Sequence, residues 1–337
     1  MSSEAFIQLA LCSLRCTQRE LAQMLGVSPT QISKWKTGDN MSREEEVKLR
    51  GILGIGEQAP ELILAAGSRD AAKKWESLIR TIADFVKSGA ETGYDVYPLD
   101  DDLGGLAAET SEVLQRMGIS FPEGFPSQFE VNVAEDNDQK ADDEGRDDED
   151  GDYADHERGG RFWDEVKANE FTNTISKIFM SLNDVYGFYA AYIEDLLFDD
   201  NLNLSGTEAE NIENCLMALA ACKTDVDEKY APKIQDFRRE VINDYEDWIA
   251  LVKERAFRAG VPLKAELMDI VHGDHNLLGH KAEAESLGLN KSRLHPDIYM
   301  NELLVGMRLV HQVLPAIMKK LGIANEFRID SSDLRVK

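Results

Sequence analysis

The sequence predicts an all-α protein in which an acidic disordered linker separates a small N-terminal helical domain from a C-terminal helical bundle. Apolar residues recur every three or four positions along most of the chain, as they do on the buried face of a helix. Almost no segment alternates with the period of two that a half-buried strand requires. Residues 130–160 interrupt the helical pattern, because they contain almost no large apolar side chain.

Composition limits the class of protein further. The chain has 337 residues, of which 43% are hydrophobic and 30% charged, so it can form about two globular domains. It carries 37 basic and 63 acidic side chains, for a formal net charge of −26. Such a chain is not expected to coat nucleic acid over its whole surface, and any basic binding surface must be local.

No membrane contact is expected, because no run approaches the roughly 18 apolar residues of a membrane-spanning helix. The N terminus has no basic segment ahead of an apolar core, so the expected location is the cytoplasm. The four cysteines form no CxxC pair and are too few for a disulfide framework. We expect reduced, buried thiols at Cys12, Cys16, Cys215 and Cys222.

Charge is distributed unevenly over four predicted segments. Residues 1–55, the N-terminal domain, hold seven basic and six acidic side chains, for a net charge of +1. Residues 56–129, a helical extension, and residues 161–337, the C-terminal helical domain, are both acidic. Between them, the linker over residues 130–160 carries a density of like charge that favours an extended, solvated chain. The N-terminal segment is therefore the least acidic part of the protein.

The N-terminal segment carries signals for two short helices joined by a tight turn. The first helix is predicted to begin after Thr17, because Glu20 three positions later completes a capping box. Gly26 stands where a helix ends in the left-handed conformation, and Ser28 with Pro29 forms a second helix start. Apolar residues fall at helical spacing on the inward faces of both helices: Leu21, Ala22, Leu25, Ile32 and Trp35.

This pattern resembles the lambda-repressor-like (Cro/Xre) helix-turn-helix family over about residues 4–55. Lys36 departs from the family, which often has glutamate there. The region after Gly38 departs as well, because it shows one clear helix, Arg43 to Leu53, instead of two. The residues that carry the resemblance are Gln18, Glu20, Leu21, Ala22, Leu25, Gly26, Val27, Ser28, Ile32, Ser33, Trp35 and Gly38.

The resemblance implies that the second helix enters the major groove of double-stranded DNA. By position, Thr30, Gln31 and Lys34 are expected to face base edges, since glutamine can pair with adenine and lysine can donate to guanine or phosphate. The other contacts are expected to be to phosphates, from Gln18, Ser28, Ser33 and Lys36. The inward residues alone do not indicate DNA binding, because a domain retained for protein contacts would need them too.

Two interpretations of the acidic linker follow. The first is a solvated spacer between folded parts. The second is an acidic tether that competes with DNA phosphate for the basic surface of the same chain.

The helical extension is predicted to contain a helix from Ser68 to about Ser88 and a second one over about residues 102–117. Asp100, Asp101 and Asp102 precede the second helix. Three adjacent carboxylates can hold a cation, but before a helix they more often favour its positive N-terminal end.

Five helices are predicted for the C-terminal domain, and they suit an antiparallel bundle. Their ranges are 171–197, 208–221, 225–258, 263–287 and 296–321, the last kinked near Pro315. Histidines and an aspartate cluster within the fourth range, but their spacing does not place metal ligands on one helical face. These residues are His272, Asp274, His275 and His280. No nucleophile elbow or phosphate loop occurs, so we expect no metal, no cofactor and no enzymatic activity.

Together these features predict a sequence-specific transcriptional regulator, a repressor, that binds DNA as a homodimer. The C-terminal domain would dimerise or receive a signal. The alternative is an antitoxin or phage-defence interaction protein, in which residues 161–337 bind a partner protein and the head represses its own operon. Its basis is size, because the C-terminal part is far larger than dimerisation requires.

Overall fold

The computed structural model describes most of the chain in six continuous stretches and a few isolated positions. The stretches are residues 3–89, 96–101, 104–130, 151–183, 187–204 and 213–259. The remaining described positions are 206, 207, 261, 263, 267, 270, 271, 306, 310 and 313–323. Every regular element in this part of the chain is a helix, which confirms the all-α class.

Five helices form the N-terminal part: α1 (Ser3–Leu14), α2 (Gln18–Leu25), α3 (Pro29–Lys36), α4 (Arg43–Leu53) and α5 (Pro60–Ala66). The predicted starts and ends of α2 and α4 agree with the structure, and α3 begins as predicted. The sequence did not predict α1 or α5. Because α5 packs on α1, it supplies the second helix after α3 that the predicted segment lacks.

The middle of the chain contains α6 (Arg69–Ser88), α7 (Tyr97–Asp100) and α8 (Leu106–Arg116). The predicted N-cap of α6 is confirmed, because the Ser68 hydroxyl accepts a hydrogen bond from the Ala71 N–H at 3.1 Å. α5 packs on both α6 and α8, so the N-terminal helices and the middle helices share one hydrophobic core.

The C-terminal half contains α9 (Gly151–Ala168), α10 (Glu170–Ser181), α11 (Gly187–Leu197), α12 (Glu213–Lys223) and α13 (Ile234–Ala259). It packs on the middle helices, with α10 against α6 and with α12 against α7 and α8. The side chain of Trp75 on α6 lies at this contact, surrounded edge-on by three phenylalanine rings with centroids 5.0–5.4 Å away. These rings belong to Phe121, Phe125 and Phe171.

The helix predicted from residue 225 begins nine residues later, at Ile234. The chain first turns at Asp227, whose side chain accepts a hydrogen bond from the Lys229 N–H at 2.8 Å. The N–H of Lys233 then donates to the Met117 carbonyl at 3.0 Å. A hydrogen bond to a residue 116 positions earlier in the sequence therefore stabilises this helix start. The sequence carried a local signal as well, because Pro232 cannot lie in the interior of a helix that runs from residue 225.

The other predicted C-terminal helices agree with the structure in part. The segment 171–197 is described as α10 and α11, and residues 184–186 between them lie outside the described residues. The segment 208–221 corresponds to α12. Of the last two predicted helices only fragments are described, among them the helical residues 313–321, and His272, Asp274, His275 and His280 lie outside the described residues.

Both described ends of the predicted linker are structured, which corrects the prediction of disorder over 130–160 at its edges. Glu130 forms an ion pair with Lys74 on α6 at 2.8 Å. Residues 151–160 belong to α9, which Trp163 fixes by stacking on Phe85 with ring centroids 4.7 Å apart. Residues 131–150, which hold most of the acidic run, lie outside the described residues.

Two carboxylates of the acidic triplet are engaged with the protein itself. Asp101 accepts hydrogen bonds from the Leu106 N–H at 2.9 Å and from Arg80, so it caps the positive end of α8 as predicted. Asp100 pairs with Lys87 at 3.1 Å. Asp102 lies outside the described residues.

The expectation of buried thiols holds for one cysteine and is wrong for another. Cys222 is buried, and burial raises the pKa of its thiol to about 12, which makes it unreactive. Cys12 is exposed on α1, Cys16 is half-buried, and the side chain of Cys215 lies outside the described part of the structure. Among the described residues, no helix is long and apolar enough to cross a lipid bilayer.

Candidate nucleic-acid interface

Helix α2 begins at a complete capping box. The Thr17 hydroxyl accepts a hydrogen bond from the Glu20 N–H at 3.3 Å, and the Glu20 carboxylate accepts one from the Thr17 N–H at 2.8 Å. The carboxylate accepts from the Thr17 N–H and also from the Thr17 hydroxyl at 2.9 Å, and these two hydrogen bonds lower the pKa of Glu20 because they stabilise its charged form. Two backbone donors that the helix leaves unpaired are thus satisfied by residues three positions apart.

The turn between α2 and α3 depends on Gly26, which adopts the left-handed conformation at φ 73° and ψ 27°. The following N–H, of Val27, donates to the Ala22 carbonyl at 3.0 Å, as in a Schellman-type helix end. Ser28 then caps α3 by accepting from the Gln31 N–H at 3.2 Å, with Pro29 at the first helical position. Only two residues therefore separate the end of one helix from the cap of the next. We call residues 17–38 the helix-turn-helix.

The inward face of the helix-turn-helix is buried as predicted. Ile32 and Trp35 of α3 pack with the apolar residues of α2, and Leu21 and Ile32 are completely buried. The indole N–H of Trp35 is also buried and has no hydrogen-bond partner among the described residues. This core holds α3 against α2 and fixes which of its side chains point outward.

The outward side of α3 is polar and carries two of the seven basic residues of the N-terminal segment, Lys34 and Lys36. Thr30, Ser33, Lys34 and Lys36 are exposed, whereas Gln31 is half-buried. Ser28, at the N-cap of α3, is exposed as well. Apart from Gln18 on α2, the predicted contact residues therefore lie on α3 or at its N-cap, where a ligand can reach them.

Gln18 and Ser33 meet although they belong to different helices. The Ser33 hydroxyl donates to the Gln18 side-chain oxygen at 3.4 Å and to the Pro29 carbonyl at 3.2 Å. The two predicted phosphate contacts thus lie side by side, at the start of α2 and the middle of α3.

The basic residues of the N-terminal segment divide into paired and unpaired groups. Lys48 pairs with Glu44 at 2.7 Å, and the buried Arg50 pairs with Glu46 at 2.9 Å. Arg50 also donates to the Gly56 carbonyl at 2.7 Å, so its role is structural. Within the described residues, five other basic side chains form no ion pair: Arg15, Arg19, Lys34, Lys36 and Arg43. This segment therefore presents net positive charge although the whole protein is acidic.

A groove runs along the flank of α3 towards the start of α4. None of its lining residues is lysine or arginine, and one is acidic: Val27, Ser28, Gln31, Trp35, Asn40, Ser42 and Glu45. Sequence reasoning identified Ser28 and Gln31 but missed Asn40, Ser42 and Glu45 as their neighbours. The local signal was present, because Ser42 caps α4 by accepting from the Glu45 N–H at 3.4 Å. That signal marks a helix start but does not show what the helix packs beside.

In a comparison with family models, residues 7–49 match the model described as helix-turn-helix. The match extends from α1 into α4 and confirms the resemblance of this segment to Cro/C1-type domains. It supports a DNA-binding regulator. Neither a search of curated proteins nor a search of solved structures found a match.

Proposed function

We propose that the protein is a sequence-specific transcriptional repressor that binds double-stranded DNA through α3. The observation that carries this proposal is the polar outward side of α3, held in a fixed orientation by the caps and core of the helix-turn-helix. Thr30, Gln31 and Lys34 face base edges in this proposal, since their amide, hydroxyl and ammonium groups match donors and acceptors of the major groove. The phosphate contacts come from Gln18, Ser28, Ser33 and Lys36.

The proposal includes a homodimer, because one short recognition helix contacts few bases. Two heads bound to half-sites about one helical turn apart would combine their affinities. The divisions at residues 55 and 129 remain part of the proposal, although the described helices on either side of the first division share a core. The division at residue 160 falls inside α9. The absence of enzymatic activity and of a cofactor remains a prediction.

A DNA-binding measurement tests this proposal directly. The full-length protein is titrated against fragments of its own upstream DNA and against a random fragment over a series of salt concentrations. We expect Gln31→Ala and Lys34→Ala each to weaken specific binding by about 1–3 kcal/mol, the value of a lost bidentate base contact. Lys73→Ala is the matched control, because Lys73 is exposed on α6, outside the helix-turn-helix.

The salt series separates the two kinds of contact. Loss of a phosphate contact lowers the slope of log affinity against log salt concentration by about one, because about one ion fewer is released on binding. Loss of a base contact mainly lowers the preference for the specific fragment over random DNA. If the wild-type protein does not prefer its upstream DNA, or if both substitutions leave that preference unchanged, the proposed interface is wrong.

A second candidate function is partner binding by the C-terminal part, and exposed apolar residues near the C terminus favour it. Residues 313–321 are helical, and five large apolar side chains in and next to this helix are 47–65% exposed. These are Val310, Val313, Leu314, Ile317 and Leu321. A solvated helix of this length is marginally stable alone, so these side chains are suited to packing against another chain. The mass of the purified full-length protein distinguishes two possible occupants of this apolar surface. A dimer supports packing against a second copy of the chain, and a monomer supports packing against a different protein.

A further inference from the structure

Three consecutive glutamates follow Arg43 in the first turn of α4, and the structure gives them different surroundings. Glu44 pairs with Lys48, and Glu46 pairs with Arg50, each one helical turn further along. The residue one turn after Glu45 is Leu49, which is completely buried and offers no charge. Within the described residues, the Glu45 carboxylate forms no ion pair and no hydrogen bond.

Glu45 is half-buried, and its side chain lines the same groove as Gln31 of the recognition helix. Within the described residues, no hydrogen bond joins the Glu45 and Gln31 side chains. Besides Val27 and Trp35, the groove is lined by amides, hydroxyls and this carboxylate, without lysine or arginine. The Glu45 carboxylate would repel a phosphate placed beside it, and it is suited to accept from a hydrogen-bond donor.

The glutamine amide is a donor of this kind. When glutamine reads adenine, its oxygen accepts from the adenine N6 amine and one of its two N–H groups donates to N7. The second N–H then remains without a partner on the base. A carboxylate on the flank of α3 can accept that hydrogen and fix which way the amide faces.

We propose that Glu45 is a positioning residue that orients the Gln31 amide for adenine. The inference rests on the proposed function, in which Gln31 contacts a base. With one N–H of Gln31 held by Glu45, the amide presents one acceptor and one donor to the base. Guanine offers two acceptors at the corresponding atoms and is therefore disfavoured.

The test starts with a randomised double-stranded oligonucleotide library, from which the full-length wild-type protein selects its preferred sequence. The same selection is repeated with the Gln31→Ala variant. The position at which this variant no longer prefers one base is the position that Gln31 contacts. Dissociation constants are then measured on duplexes that carry adenine or guanine at this position. We expect Glu45→Ala to lower the adenine preference by about fivefold or more, within the range of a bidentate contact.

A double-mutant cycle shows whether Glu45 acts through Gln31. The Glu45→Ala/Gln31→Ala double variant should show the same adenine preference as Gln31→Ala alone, because no amide remains to be oriented. Glu45→Gln should keep part of the preference, since its amide oxygen still accepts a hydrogen bond. These two readouts would not change in this way if Glu45 only stabilised the start of α4.

Glu44→Ala is the matched control, because it removes the same charge from the same helical turn, from a side chain paired with Lys48 rather than lining the groove. We expect it to leave the adenine preference unchanged. The inference is overturned if Glu45→Ala also leaves that preference unchanged, or if its effect adds to that of Gln31→Ala. If the wild-type protein selects no sequence at all, the proposed function fails, and that result is separate from a failure of Glu45 alone.

Discussion

The helix-turn-helix and the contact between the middle helices and the C-terminal half are stabilised over very different sequence distances. In the helix-turn-helix, the capping bonds of Thr17 and Ser28 join residues three positions apart. In the second region, which we call the junction (α6, α8 and the chain up to Phe129, with α10, α12 and α13), Arg116 pairs with Glu240, 124 positions later. The first region is therefore specified locally, and the second depends on the fold of the whole chain.

This difference can be tested with pairs of similar residues, one in each region. The largest expected effect concerns two buried tryptophans, Trp35 in the helix-turn-helix and Trp75 in the junction. We expect Trp75→Ala to lower the free energy of unfolding by about 3–5 kcal/mol, because it leaves a large cavity. The effect should exceed that of Trp35→Ala, since Trp75 also loses edge-on contacts with three rings and Trp35 has no ring partner among the described residues.

Urea unfolding, followed by far-ultraviolet circular dichroism, measures both tryptophan variants. A cost below about 1 kcal/mol for Trp75→Ala would mean that the junction does not contribute as one packed core. A larger cost for Trp35→Ala would place the more important packing in the helix-turn-helix.

The success of the sequence-based predictions also differs between the helix-turn-helix and the junction. Thr17, Gly26 and Ser28 each act within one helical turn, so their residue types alone predicted the caps and the turn. Asp101 belongs to this group as well, because it caps a helix that begins five residues later. The outward residues of α3 followed from the same local pattern.

Features that depend on packing between distant segments could not be predicted. The hydrogen bond from Lys233 to Met117 at the start of α13 is of this kind, although Pro232 was a local signal against a helix from residue 225. Glu45 was missed for a related reason, since its place beside Gln31 depends on how α4 packs against α3. The sequence predicts which residues are helical more readily than which helices are neighbours.

Two glycines give the second comparison. Both have positive φ, 73° at Gly26 and 87° at Gly118, so alanine is strained at either position. A Cβ atom at Gly26 would meet nothing within 4 Å, whereas at Gly118 it would lie 3.1 Å from the Lys233 nitrogen and from the Pro232 ring. We expect Gly26→Ala to cost about 1 kcal/mol and Gly118→Ala about 2–4 kcal/mol, because the second adds a clash to the strain.

The same urea titration measures both glycine variants. Equal costs would show that the chain near Pro232 moves to accommodate a methyl group. In that case the hydrogen bond between Lys233 and Met117 would not be the fixed point that sets the start of α13.

Two glutamates give the third comparison, because their pKa values shift in opposite directions. Local hydrogen bonds with Thr17 lower the pKa of Glu20. Burial raises the pKa of Glu109 on α8 to about 7, with smaller contributions from the charges of Glu112 and Asp101. The stabilisation from ionised Glu20 is therefore present at neutral pH and lost only as the pH falls below its ordinary pKa of 4.5.

Glu109 acts in a different pH range and with the opposite sign. Between its ordinary pKa of 4.5 and the folded value of about 7, the folded protein binds the proton more than the unfolded chain does. Stability is then highest at low pH in this range and falls as the pH rises through 7. We expect Glu109→Gln to stabilise the protein by about 1–2 kcal/mol at pH 8 and by less at pH 5, after allowance for the partial exposure of the side chain. Urea unfolding at the two pH values measures the difference between wild type and variant. An equal difference at both values would show that the junction leaves Glu109 ionised, as an exposed glutamate would be.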